Sequence, residues 1–202
     1  SSLHIIPNFV DTDLYVTEAS TKLPDEFLSE PGYVNMLYAG NIGLAQEWDL
    51  VLNLAKEIRD ESITIWIIGE GVKKEYLKSQ IEKHQLSNIK LLPYQDRKYM
   101  PAINLFADFH FIAMDKSMEN EGFPSKVYSI MASGRPLVVV SSEQTPIINF
   151  LKGTHTALLV IDHSVSSFKE AVLKLANDKE LRIEMGKNGR KIIEEKFTKV
   201  HI

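Results

Sequence analysis

The sequence predicts an α/β protein built on a doubly wound, Rossmann-like parallel sheet of about six strands. Three observations carry this. Short, mostly apolar runs recur along the chain, at Val34 to Ala39, Ile63 to Ile68, Ile89 to Leu92, Asp108 to Met114, Leu137 to Val140 and Ala157 to Ile161. Runs that are apolar throughout, rather than alternating with polar residues, belong to strands covered on both faces. Between them lie segments with apolar residues at helical spacing, and regular strand–helix alternation implies a parallel sheet with helices on both sides.

Taken in order, residues 1–33 read as a connecting segment followed by a polar surface excursion. Ile6 to Val10 is short and interrupted by Pro7-Asn8, Asp11-Thr12-Asp13 reads as a turn and helix cap, and Thr17 to Gly32 is polar and holds Pro24 and Pro31. From residue 34 to 202 one domain is expected. The first strand ends at Gly40-Asn41-Ile42-Gly43, and the helix after it places Trp48, Val51, Leu52, Ala55 and Ile58 on one face. The second ends at Gly69-Glu70-Gly71, before a helix to about Gln85. After the third, Pro93-Tyr94-Gln95-Asp96 leads into a helix to Ala107 that Asp96 can cap. Two helices follow Ser164. In such sheets ligands bind beyond the carboxyl ends of the strands, which gathers Gly40 to Gln46, Gly69 to Gly71, Tyr94, and Glu119 to Lys126 along one edge.

Composition removes several classes of function. With 202 residues, 44% hydrophobic and 25% charged, the chain can bury a full core. A formal charge of -4 with scattered Lys and Arg argues against nucleic-acid binding. There is no cysteine, and the six histidines form no ligand-spaced pair, so neither a disulfide nor a metal site is expected. No apolar run reaches the roughly 20 residues needed to span a bilayer, and Ser1-Ser2-Leu3-His4 is unlike a signal peptide.

The stretch Glu121 to Pro136 holds the densest chemistry. Pro124 fits the first position of a helix and Gly134 the position just past its last turn. Phe123, Val127, Ile130 and Met131 would face the core, whereas Ser125, Lys126 and Ser129 occupy another stripe. A helix start with free N–H groups and a lysine can hold a phosphate, and Glu121 is close enough to bind a polar group attached to it. An ordinary capped helix with a solvated lysine is the competing reading. Gly69-Glu70-Gly71 lacks the third glycine of a dinucleotide fingerprint, since position 74 is Lys74. It and the Gly40/Gly43 pair fit either tight turns or close backbone approach to a ligand.

With these residues placed, the chain resembles the carboxyl-terminal, donor-binding domain of retaining family 4 glycosyltransferases of the two-domain GT-B architecture. The Ile6 to Asp13 segment resembles the family's interdomain connection. Glu121-Gly122-Phe123 through Gly134-Arg135-Pro136 resembles its most specific signature, and Pro124-Ser125-Lys126-Val127-Tyr128 looks most like bacterial surface-polysaccharide enzymes of colanic-acid and O-antigen type. The resemblance implies a nucleotide diphosphate sugar as donor, a saccharide or lipid-linked acceptor bound by an amino-terminal domain outside this chain, and no cofactor or metal. It implies catalytic roles for Glu121, on the sugar hydroxyls, and Lys126, on the diphosphate. Donor contacts are implied for Gly40, Asn41, Gly43, Gln46, Gly69, Gly71, Tyr94, Gly122, Phe123, Pro124, Ser125 and Ser129. Two positions depart from the pattern: Ser129 stands where a second glutamate usually holds the ribose, and Asn41 and Gln46 replace the usual cations of the first glycine loop. Further expectations are a cytoplasmic enzyme, peripherally associated with the inner face of the membrane, and a chain inactive without its other half. A catalytically silent nucleotide-sugar module and half of a nucleotide-sugar epimerase are the alternatives.

Overall fold

A computed structural model describes residues 12, 14–15, 22–119 and 122–197; Glu121 and most of the proposed connecting segment lie outside the described residues. Six strands, β1 (Val34–Ala39), β2 (Ile63–Ile68), β3 (Ile89–Leu92), β4 (Phe109–Ala113), β5 (Leu137–Val140) and β6 (Ala157–Val160), pair in parallel in the order β3-β2-β1-β4-β5-β6. Chain order reverses between β1 and β4, where Met36 lies opposite Phe109 and Leu37 opposite His110. This is the doubly wound sheet expected, with its crevice between the ends of those two strands.

Strand side chains alternate strictly between two helical layers. Met36, Tyr38, Ile65, Ile67, Phe111 and Val138 join the core formed with α1 (Trp48–Glu57), α2 (Lys74–His84) and α6 (Val165–Asn177). Their neighbours Leu37, Trp66 and Ile68 turn to α3 (Met100–Phe106). Ile112, Leu137 and Val139 turn to α4 (Lys126–Ala132) and α5 (Pro146–Leu151). Burial on both faces explains why these runs show no polar alternation. The last helix, α7 (Lys179–Lys196), lies on α4, where Gly186 passes so close to the Gly134 carbonyl that a Cβ would collide with it.

Several elements differ from the sequence reading. α4 starts at Lys126, not Pro124, because Ser125 holds the cap position and Pro124 forms the turn before it; Gly134 follows the helix at φ +65°, as a left-handed terminator should. The expected surface excursion contains Phe27, which stacks on Trp66 at 5.6 Å and meets Phe106 edge-on at 5.4 Å. α5 was not expected from the sequence: it begins at Pro146 after Thr145, six residues too short for a periodic signal. Arg190 of α7 donates to the carbonyls of Thr12, Tyr15 and Ala132, which ties the start of the described chain to the last turn of α4. No helix among the described residues is long and apolar enough to cross a membrane.

Candidate functional site

Two glycine loops meet at the carboxyl edge and grip one another. The N–H of Gly40 donates to Ile68, the N–H of Ile42 to Glu70, and the N–H of Lys73 to the Ile42 carbonyl. Gly69 and Gly71 have φ near +150°, and a Cβ on either would overlap the carbonyl oxygen of Gly40 or Ile42 respectively. Their lack of a side chain therefore serves a loop-to-loop contact. Since the Gly69 N–H is already bonded to Leu92, neither it nor those of Gly40 and Ile42 is free for a ligand. Asn41 is exposed at the tip, and the Gly43 carbonyl accepts from the Trp48 indole at 2.8 Å.

Gln46 is likewise engaged by the protein. Its side chain accepts from the Ala113 N–H and donates to the Ala45 carbonyl, and its backbone bridges to Met114. It joins the loop after β1 to the end of β4, and so forms the floor of the crevice. Two hollows open on either side of Gln46 and Met118. One, about 310 Å³, is lined by Ala45, Met114, Gly122, Phe123 and Pro124. The other, about 230 Å³, reaches Glu47, Asp49, Lys73 and Asp115. Gly122 and Ser125 are exposed at this edge, Phe123 packs on Tyr128 and Phe150, and Tyr94 stands 69% exposed after β3.

Lys126 projects beneath the first loop. Its ammonium lies 3.7 Å from the centre of the Tyr38 ring, and a Cβ on Gly40 would stand 2.5 Å from it. Tyr38 is itself fixed, donating its hydroxyl to the Asn41 carbonyl at 2.7 Å. No carboxylate pairs with Lys126 among the described residues, and burial pushes its pKa down to about 7. The cation–π contact offsets part of the lost hydration. His110 and Asn104 line the same small space, of about 20 Å³. Burial pushes the His110 pKa to about 3, so its ring is neutral and adds no charge beside the lysine. Ser129, one turn along α4, donates to the Lys126 carbonyl at 2.9 Å.

One cluster at this edge escaped the sequence reading. His163, just after β6 and at φ +52°, sits between two carboxylates: Nδ1 is 2.8 Å from Glu47 and Nε2 is 3.3 Å from Glu119. Glu119 is buried and also accepts from the Ser142 N–H at 2.9 Å. Desolvation raises its pKa, but the Ser142 bonds and the His163 ring outweigh that and hold it below the ordinary range. The loops after β1, β4, β5 and β6 are thus joined through one imidazole. A histidine directly after a strand was the available signal; its partners, 116 and 44 residues away, were not visible in the sequence.

A family model described as "Glycosyl transferases group 1" matches residues 20–192. Over 110 residues the chain is 30% identical to WcaI of Escherichia coli (strain K12), whose name assigns it to colanic acid biosynthesis glycosyl transfer; the alignment covers 54% of this chain and 27% of that protein. The chain therefore spans about a quarter of the length of this curated relative. Its fold superimposes on the C-terminal domain of a group 1 glycosyl transferase family protein, LpcC, from Francisella tularensis, with a TM-score of 0.73 at 18% identity over 94% of this chain and 99% of that one. It also superimposes on Anabaena HepE solved in complex with UDP and glucose, with a TM-score of 0.76 at 15% identity over 98% and 53%. At these identities the structural likeness is one of fold.

Proposed function

With a family match that spans most of its length, the chain belongs to the group 1 glycosyl transferases, and we propose that it is the donor-binding half of a retaining enzyme of that family. Residues 34–202 bind the nucleotide diphosphate sugar, and residues 1–33 connect them to an acceptor-binding domain outside this chain. In this reading the chain alone binds donor without completing transfer to a saccharide or lipid-linked acceptor. The full enzyme works at the cytoplasmic face of the membrane and needs no metal.

The observation that carries this reading is the Lys126 ammonium, which has no carboxylate partner among the described residues and lies at the crevice between β1 and β4. As the sugar–phosphate bond breaks, negative charge gathers on the departing diphosphate, and a fixed, partly desolvated cation stabilises it more than one in water does. The seven-residue α4 adds little dipole, and the first loop supplies no Arg or Lys, so the cationic task falls to Lys126. The hollow beside Phe123 and Pro124 accommodates the sugar, where Glu121 would meet its hydroxyls. Ser129 and Tyr15 stand on the ribose side, and Tyr94 on that of the base.

Calorimetric titration of the chain with UDP, GDP and ADP sugars tests this. Binding of one nucleotide class is expected, and Lys126→Ala should weaken the nucleotide diphosphate by roughly tenfold or more while leaving the free nucleoside within about twofold. Absence of binding at millimolar donor, or equal losses for nucleoside and nucleotide, would overturn the reading.

A further inference from the structure

A larger hollow, of about 360 Å³, lies at the opposite edge of the sheet. It opens where Asp108 leads into β4 and Gly134-Arg135 lead towards β5, and one face of α7 closes it. The five-residue β4 separates this hollow from the crevice by roughly 15 Å, at about 3.3 Å per residue.

Its charge is out of keeping with the rest of the molecule. Arg135, Lys179, Arg182, Lys187, Arg190 and Lys191 line it against two carboxylates, Asp108 and Glu194, in a chain whose formal charge is -4. Five of the cations recur along α7 at steps of three, five, three and one residues, on the stripe that faces Arg135. Part of this charge is occupied by structure. Arg182 donates to the carbonyls of Leu175 and Ala176 and pairs with Asp108, Arg190 donates to Ala132 and pairs with Glu194, Lys191 pairs with Glu195, and Arg135 donates through Nη2 to Leu105. The remainder is not: Lys179 and Lys187 pair with no carboxylate among the described residues, and Nε of Arg135 is buried there without a hydrogen-bond acceptor. Burial destabilises the Arg135 guanidinium; the Asp108 carboxylate offsets part of that, and the Arg182 charge adds to it. An excess of like charge around a buried donor lacking an acceptor is relieved by an anion. Leu105 and Ile183 give the same hollow an apolar wall.

We propose that this hollow binds a phosphate or diphosphate group, held by Arg135, Lys179 and Lys187, with Leu105 and Ile183 against an apolar part of the same ligand. The group is carried either by a soluble phosphorylated compound or by an anionic lipid headgroup. The site is separate from the donor crevice and does not depend on the donor assignment.

The chain is titrated with inorganic pyrophosphate by calorimetry and floated with phosphatidylcholine vesicles with or without phosphatidylglycerol. The comparison is between wild type, the surface double variant Lys179→Gln/Lys187→Gln, and Lys126→Ala. A pyrophosphate site weakened roughly tenfold or more by the double variant and untouched by Lys126→Ala is the expected result. Flotation that requires phosphatidylglycerol and is lost in the double variant assigns the lipid source; pyrophosphate binding without flotation assigns the soluble one. The proposal is overturned if the double variant binds pyrophosphate and vesicles as wild type does, or if Lys126→Ala alone removes all binding. Loss of only the Lys126-dependent site would count against the donor reading and leave this one standing.

Discussion

Lys126 is the residue whose chemistry most depends on its surroundings. Burial lowers its pKa from 10.5 to about 7, so in the free chain its charge fades as pH rises through neutrality. A bound diphosphate favours the charged form and draws a proton onto it. Donor affinity should therefore fall above about pH 7, approaching tenfold per pH unit, with proton uptake visible as a dependence of binding heat on buffer ionisation enthalpy. A flat profile between about pH 6 and 9 would remove Lys126 from the site. For stability the sign is opposite to that of a paired lysine: between about 7 and 10.5 the unfolded chain binds the extra proton, so this group makes folding more favourable as pH rises. Ser129 is a different kind of residue. Its hydroxyl already donates to the Lys126 carbonyl, so a ribose must compete for it, whereas a glutamate would offer a charge.

Among the elements, the two loops after β1 and β2 form one joint. Gly69→Ala would force a methyl group into the Gly40 carbonyl at a φ that L side chains rarely adopt, a cost of about 2–4 kcal/mol in stability. Urea denaturation should show this as a lower midpoint at unchanged slope; a change under about 0.5 kcal/mol would mean that the loops part easily. The Gly-x-Gly pattern was legible as a turn after a strand, but not that its partner is another glycine loop some 30 residues earlier, because that contact is a property of the sheet. Helix α4 shows the same limit at closer range. Its core face, Val127, Ile130 and Met131, follows from spacing, yet its start at Lys126 rather than at Pro124 depends on the turn before it.

At the scale of the molecule, the sheet was legible because each strand is a mostly apolar run without regular polar alternation, the pattern that burial on both faces imposes. Phe27 was not, since a single aromatic among polar residues shows no periodicity and owes its burial to Trp66 and Phe106. The His163 cluster and the basic hollow stayed hidden for a related reason: each gathers side chains from distant segments, and scattered charge in the sequence becomes segregated charge only when α7 lies down on α4. The glycine joint also bears on folding kinetics. Its two loops can close only after β1 and β2 have paired and their ends are in register, so the contact belongs to the late, downhill side of the folding barrier. Gly69→Ala should accordingly speed unfolding while leaving the refolding rate almost unchanged, a φ-value near zero in a denaturant chevron. An equal effect on refolding would place the joint in the nucleus instead. Gripping loops at the donor edge would then act as a kinetic latch, lengthening the life of the folded crevice without hastening its formation.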